Sequence, residues 1–408
     1  MAHGGDIYRN KVNMDYSVNL NPLETRAEIL TAVQGAISKA QLYPDILQQE
    51  VREAIADTIG LTSEYIYAGN GASELIMAAV RAMTEIFANP GHDGLEGISG
   101  EKKNRNKYEK RHLKALLFEP GFSGYEYALK AAGAEIVRHV LTEEKSFDLT
   151  IENLEALTND IDVVFICDPN NPTGRRIDEA VLTTFLDKAK EKNITVCLDD
   201  SFYLMSDTEI YGHNRYSKEM LHTRSKLIEK YDNLIIITSL TKLFALPGIR
   251  MGYVVAVPDT IVRIRKQLPE WNLAVTSDAG IKAGMKLIVE TDFIARTNEI
   301  ISVERAFLSK ELRNLGLKVY DSDTCFILFQ GPQNLYDNLL ERGILIRDCS
   351  DYNGLCRTDS TEDSNNGNLM DVSDGITNRF YRIAVRNHDD NEKLVEAMKF
   401  AINDNQIQ

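Results

Sequence analysis

Between residues 61 and 256 short apolar runs alternate with longer stretches of helical period, and this alternation constrains the fold more than any other feature of the chain. The runs fall at 65–68, 115–119, 135–140, 163–167, 194–198, 234–238 and 253–256, several of them rich in β-branched residues. Continuous apolar runs of that length suit strands covered on both faces, as in a parallel sheet. Helix-length segments at 72–87, 124–132, 178–192 and 217–230 supply the crossovers that parallel neighbours require. The expected fold class is therefore α/β, a mostly parallel seven-stranded sheet in a large domain. Open sheets of this kind bind ligands beyond the carboxyl ends of their strands, so chemistry-bearing residues are sought there.

After residue 257 the rhythm changes to long helices, with an amphipathic stretch at 294–315, followed by separated strand candidates at 324–329, 344–347 and 380–385. That is an α+β pattern and a smaller second domain. The expected division is an amino-terminal arm at 1–40 that joins the small domain, a large domain at 41–265 and a small domain at 266–408. Two polar insertions, 89–114 and 357–378, read as surface loops.

A chain of 408 residues has room for more than one core, and 43% hydrophobic with 26% charged residues is the composition of a globular protein. With 46 basic against 61 acidic residues the net charge is −15, which repels a polyanion over most of the surface. Nucleic acid is not an expected partner, and an anionic ligand has to be caught locally. The five cysteines form no C-x-x-C pair and suit a reducing cytoplasm. Residues 1–11 are polar and no stretch is long and apolar enough to span a bilayer, so neither secretion nor a membrane is expected. The seven histidines include no helical pair with an acid between, and no metal site is expected.

The most informative segment runs from Ser239 to Tyr253, directly after an apolar strand, and reads Ser-Leu-Thr-Lys-Leu-Phe-Ala-Leu-Pro-Gly-Ile-Arg-Met-Gly-Tyr. It sets Lys242 at a strand end, where a lysine can form a Schiff base with an aldehyde cofactor. Flanking hydroxyls and Arg250 can hold an attached phosphate. Three further segments also follow expected strands and so share that sheet edge: Gly69-Asn70-Gly71-Ala72-Ser73-Glu74, Asp168-Pro169-Asn170-Asn171-Pro172-Thr173-Gly174, and Asp199-Asp200-Ser201-Phe202. The first is a glycine turn opening a helix, whose free amides and dipole suit a phosphate.

With these segments the chain resembles fold-type I pyridoxal-phosphate enzymes. More narrowly, it resembles the class I/II aminotransferases in the branch of histidinol-phosphate aminotransferase and threonine-phosphate decarboxylase. The resemblance runs from about His3 to the carboxyl terminus. It implies that Lys242 carries the cofactor and shuttles protons, with Asp199 beneath the pyridinium nitrogen and Asn171 on the phenolic oxygen. It implies a phosphate cradle of Gly71, Ala72, Ser73, Ser239, Thr241 and Arg250, with Phe122 stacked on the ring. Tyr43 matches the tyrosine that reaches the neighbouring subunit's phosphate, so a homodimer with shared active sites is expected. Arg386 matches the arginine that clamps the substrate α-carboxylate. His3, Asn21 and Arg347 resemble marks of the decarboxylase branch on the substrate side, as does Phe202 where aminotransferases usually carry a tyrosine.

A carboxylate at the ring nitrogen keeps it protonated, so that the ring can take up electrons when a bond at the substrate α-carbon breaks. The expected activity is thus that of a pyridoxal-phosphate enzyme on a small, phosphorylated or plain amino acid. Loss of a proton leads to transamination and loss of carbon dioxide to decarboxylation, and both stay open at this point. A protein that keeps the fold without turnover is a third reading, against which the retention of Lys242, Asp199, Asn171, Arg250 and Arg386 argues.

Overall fold

Each of the seven apolar runs of the first 256 residues becomes a strand of one sheet. The computed structural model describes residues 4–23, 25–88, 111–206, 218–355 and 378–403. In spatial order the strands are Ile66–Gly69, Gly252–Val255, Leu234–Ser239, Thr195–Asp199, Val163–Cys167, Lys114–Glu119 and Glu135–Val140. All pairings are parallel except those of Gly252–Val255, which runs antiparallel to both of its neighbours. The expected strands match these within a residue or two.

The period of two explains why the central strands are apolar throughout. Val164, Ile166, Val196, Leu198, Leu234 and Ile236 point into one buried cluster, while Val163, Phe165, Cys197, Ile235 and Ile237 point into another. Helices Gln49–Ile59, Glu179–Glu191 and Val275–Glu290 cover the first face, and Ala72–Ala88, Ser123–Ala131 and Pro258–Lys266 the second. Asp178 caps Glu179–Glu191, its carboxylate accepting from the amides of Ala180 at 2.9 Å and Val181 at 3.1 Å.

The long helices after residue 257 do not all leave this core. Ile281, Met285 and Ile288, with Phe293, Ile294 and Ile301 from the first half of helix Phe293–Asn314, pack with the large sheet. Further along that helix Leu308 and Leu312 enter the second core, with Phe307 packed against it. Sequence rhythm registers the loss of strands at 266, but not the core on which the following helices are buried.

The second core lies on a four-stranded antiparallel sheet in the order Arg347–Asp348, Asn378–Ala384, Phe326–Pro332, Lys318–Val319. Met14–Asp15 pairs in parallel with Ile344–Leu345. Beyond it the amide of Tyr16 donates to the Leu345 carbonyl at 2.7 Å, and the amide of Ala384 to the Tyr16 carbonyl at 2.8 Å. The amino-terminal segment is thereby laced along the small sheet, and its next residues, 17–19, reach the cavity at the large sheet's carboxyl edge. Among the described residues no helix is long and apolar enough to cross a membrane. The two polar insertions lie largely outside the described residues.

Candidate active site

A cavity of about 460 Å³ opens where the carboxyl ends of the large sheet's strands meet the small sheet. Among the described residues its walls include Lys242, Arg250, Arg347 and Arg382 against the single carboxylate of Asp199, a positive pocket in an acidic chain. Ala72, Ser73, Phe122, Asn171, Ser239 and Thr241 also line it, so most of the expected site residues converge.

Lys242 sits in the four-residue helix Leu240–Leu243, immediately after the strand Leu234–Ser239. Burial, with the positive charges of Arg250 and Arg382 nearby, lowers its ammonium to about 8, against a smaller opposing pull from Asp199. Asp199 ends its own strand and is 7% exposed. Its Oδ1 accepts from the Ser201 amide at 3.0 Å and its Oδ2 from the phenol of Tyr125 at 2.7 Å. Burial pushes its carboxyl above the usual carboxylate range, and the bonds from Ser201 and Tyr125 and the Lys242 charge act in the other direction.

The turn at Gly71 is a cradle that needs glycine. Its φ is +81°, and an added Cβ would lie 2.7 Å from Nη2 of Arg250. Gly252 completes the close approach, since a Cβ there would lie 2.9 Å from the Gly71 carbonyl carbon and 3.0 Å from the Ala72 amide nitrogen. The amino terminus of helix Ala72–Ala88 is thus open toward the cavity beside Ser73, the Ser239 and Thr241 hydroxyls 2.8 Å apart, and Arg250. Free amides, hydroxyls and a guanidinium around a space cleared of side chain are the donor set of a phosphate site. With Lys242 and buried Asp199 beyond it, these residues fit pyridoxal phosphate.

Several expected residues fall elsewhere. Arg386 is not brought to the cavity: its guanidinium donates to the Asp15 carbonyl at 3.1 Å and pairs with Asp390 at 3.0 Å. Arg382 stands there instead, 5% exposed, donating from Nη1 to Oδ1 of Asn171 and from Nη2 to the Ser17 carbonyl at 2.7 Å. The physical reason is that Asn378–Ala384 ends before residue 386, whereas Arg382 lies within the strand, on the face turned to the large sheet. A charged residue inside an otherwise apolar run was the signal available for it. Asn21 is likewise a structural residue: its Nδ2 donates to the Leu243 carbonyl and to Thr297 Oγ1, both at 2.9 Å, and its Oδ1 accepts from the Leu23 amide. It helps hold the Lys242 helix, whose Lys242 carbonyl accepts from the Asn21 amide at 3.0 Å.

Arg347 does line the cavity, paired with Asp351. Tyr43 is 81% exposed, its ring 4.9 Å from that of Trp271, which is itself 49% exposed. His3 lies outside the described residues. Phe202 is buried edge-on against Phe326 at 4.9 Å and offers no hydroxyl to the cavity. Sequence reading gave no role to Tyr125, which stacks on Phe165 at 5.1 Å, nor to Ser17, Val18 and Asn19 on the wall.

A family model described as aminotransferase class I and II matches residues 11–361. The chain is 29% identical over 411 residues to the threonine-phosphate decarboxylase of Salmonella typhimurium, covering 98% of this chain and 96% of that one. It is 27% identical over 332 residues to the histidinol-phosphate aminotransferase of Moorella thermoacetica, covering 81% and 76%. The crystal structure of the histidinol-phosphate aminotransferase from Clostridium acetobutylicum superimposes with a TM-score of 0.74 at 25% identity, covering 96% of this chain and 99% of that one.

Proposed function

Since this chain belongs to the class I and II aminotransferase family, whose cofactor is pyridoxal phosphate, we propose that it decarboxylates a small amino acid bearing a distal phosphate. The enzyme falls in the branch that holds threonine-phosphate decarboxylases and histidinol-phosphate aminotransferases.

One observation carries the choice of substrate. Arg347 and Arg382 are directly opposite each other across antiparallel strands, and both line the cavity. Like charges directly opposite are unfavourable in a sheet; Arg347 is offset only by the half-exposed Asp351 and Arg382 by no carboxylate among the described residues, which supports a reading in which the pair receives two anions. An amino acid with a phosphorylated side chain offers both, one carboxylate and one phosphate. Histidinol phosphate carries the phosphate but no carboxylate.

Pyridoxal phosphate, when bound, supplies an aldehyde carbon and a ring that accepts the electron pair of a broken bond at the substrate α-carbon. Gly71, Ala72, Ser73, Ser239, Thr241 and Arg250 would hold its phosphate, and Asp199 its ring nitrogen. Lys242, its ammonium lowered to about 8 by burial and by its cationic neighbours, is both nucleophile and proton carrier at its Nζ. Arg382 takes the α-carboxylate in a forked pair and Arg347 the distal anion. Anchoring both ends of the substrate fixes the torsion about its α-carbon, and hence which bond is poised to break.

The test is a screen of amino acids and their phosphate esters with the purified, cofactor-loaded protein, following carbon dioxide release and oxo-acid formation together. Carbon dioxide without oxo acid from a phosphorylated substrate supports the proposal. Oxo acid without carbon dioxide makes the protein an aminotransferase, the reading favoured by its likeness to the Moorella enzyme.

A further inference from the structure

The two opposed arginines differ in one respect. Arg382 has only neutral acceptors, Asn171 Oδ1 and the Ser17 carbonyl, and among the described residues no carboxylate pairs with it. Arg347 is 7% exposed and already carries an anion: its Nη2 donates to both carboxylate oxygens of Asp351, at 2.6 and 2.8 Å, while its Nη1 donates to the Asp348 carbonyl at 2.5 Å. The Asp351 side chain is 42% exposed, four residues further on, so it can turn into water when something replaces it.

We propose that Asp351 is a specificity-determining residue, a built-in counter-anion that every side-chain anion of a substrate must outcompete for Arg347. The inference rests on the reading that Arg347 takes the distal anion.

An incoming carboxylate exchanges like for like. It brings the same charge and the same number of acceptor oxygens as Asp351, which is tethered close by, so a dicarboxylic amino acid gains almost nothing over an uncharged one. A phosphate brings up to two charges and three acceptor oxygens and displaces Asp351 with a net gain. Without substrate, Asp351 also neutralises one member of a buried like-charged pair, which lets the sheet tolerate both arginines. The competition weakens every side-chain anion alike, so that a phosphate still gains from Arg347 while a carboxylate does not.

Binding of O-phospho-L-serine, L-glutamate and L-serine to the cofactor-loaded protein, followed by titrating its visible spectrum, tests this in wild type, Asp351→Asn, Asp351→Ser and Arg347→Gln. The expected result is that both Asp351 variants bind L-glutamate and O-phospho-L-serine about tenfold more tightly, while L-serine stays within about twofold of wild type. L-serine reports that the rest of the site is intact, and two unlike replacements guard against a variant that folds poorly. Unchanged or weaker binding of both anionic ligands in the Asp351 variants, with Arg347→Gln still weakening O-phospho-L-serine, overturns the inference and leaves the Arg347 reading standing. An Arg347→Gln protein that binds O-phospho-L-serine as wild type does overturns both.

Discussion

The phenol of Tyr125 donates to Oδ2 of Asp199 over 2.7 Å, from a helix that docks on the far side of the strand carrying Cys167. The bond reaches a carboxylate that burial would otherwise drive toward its neutral form, and it favours the charged form. Tyr125→Phe removes that support without opening a cavity. The acid limb of kcat/KM is expected to move to higher pH, because Asp199 then takes its proton earlier as pH falls. At neutral pH the loss should be on the order of tenfold, with little change in melting temperature. An unchanged acid limb would detach Tyr125 from the chemistry.

Lys242 should be the lysine fixed by borohydride reduction of the loaded protein, as a peptide map reads out. Lys242→Ala should retain bound cofactor and lose turnover by a factor on the order of 10³ or more. In the cofactor-free protein, the rate at which pyridoxal phosphate is captured should rise with pH up to about 8 and level off above it, since only the neutral amine attacks. A rate still climbing at pH 10 would mean an ordinary, solvated lysine.

Arg382→Gln is expected to raise KM for every carboxylate-bearing substrate by roughly ten- to a hundredfold. Arg386→Gln, whose guanidinium is spent on Asp15 and Asp390, should leave KM nearly unchanged. Steady-state kinetics on the two variants side by side decide the matter, and the reverse ranking would return the clamp to Arg386.

Gly71→Ala forces a side chain into left-handed backbone and against Arg250. The backbone alone costs about 1–2 kcal/mol. Cofactor affinity should fall further, because the intruding methyl displaces the guanidinium from the phosphate end. Equilibrium dialysis of the cofactor separates this from a simple loss of stability, which denaturant unfolding measures.

The exposed pair of Tyr43 and Trp271 is the place to look for a second subunit. Sedimentation should report a dimer at micromolar concentration. Mixing inactive Lys242→Ala chains with inactive Tyr43→Phe chains should restore part of the activity if Tyr43 serves the neighbour's site. A fully active monomer would end this proposal.

The strands were legible because each buries both faces, so that its whole length is apolar and its polar end is conspicuous. Asp199, Ser239, Lys242 and Asn171 stand at or just beyond those ends, where position marks them as candidates and the family resemblance implies their roles. Arg382 and Arg386 could not be separated in that way. Both are arginines near the end of one strand; the apolar neighbours of Arg382 set it inside the run, and the register that places it opposite Arg347 brings it to the cavity. The place of Asn21 away from the cavity lining is not legible, because a short polar motif carries no mark of burial and its four hydrogen bonds come from residues more than two hundred positions away as well as from its own turn. Tyr125 depends on how its helix docks, which local sequence does not encode.

Ser239 and Gly252 are partners on one rung of the sheet, so the chain between them leaves and returns at a single point. Everything between, including Lys242 and Arg250, hangs from that rung as a closed bight. Its two ends are anchored, since Leu240, Leu243, Phe244 and Met251 are buried in the large core, so a change of length has to be taken up in the partly exposed turn at 245–250. What would change is the span from the phosphate end to the lysine, which makes this bight the natural place to retool the reach of the catalyst while leaving its chassis untouched.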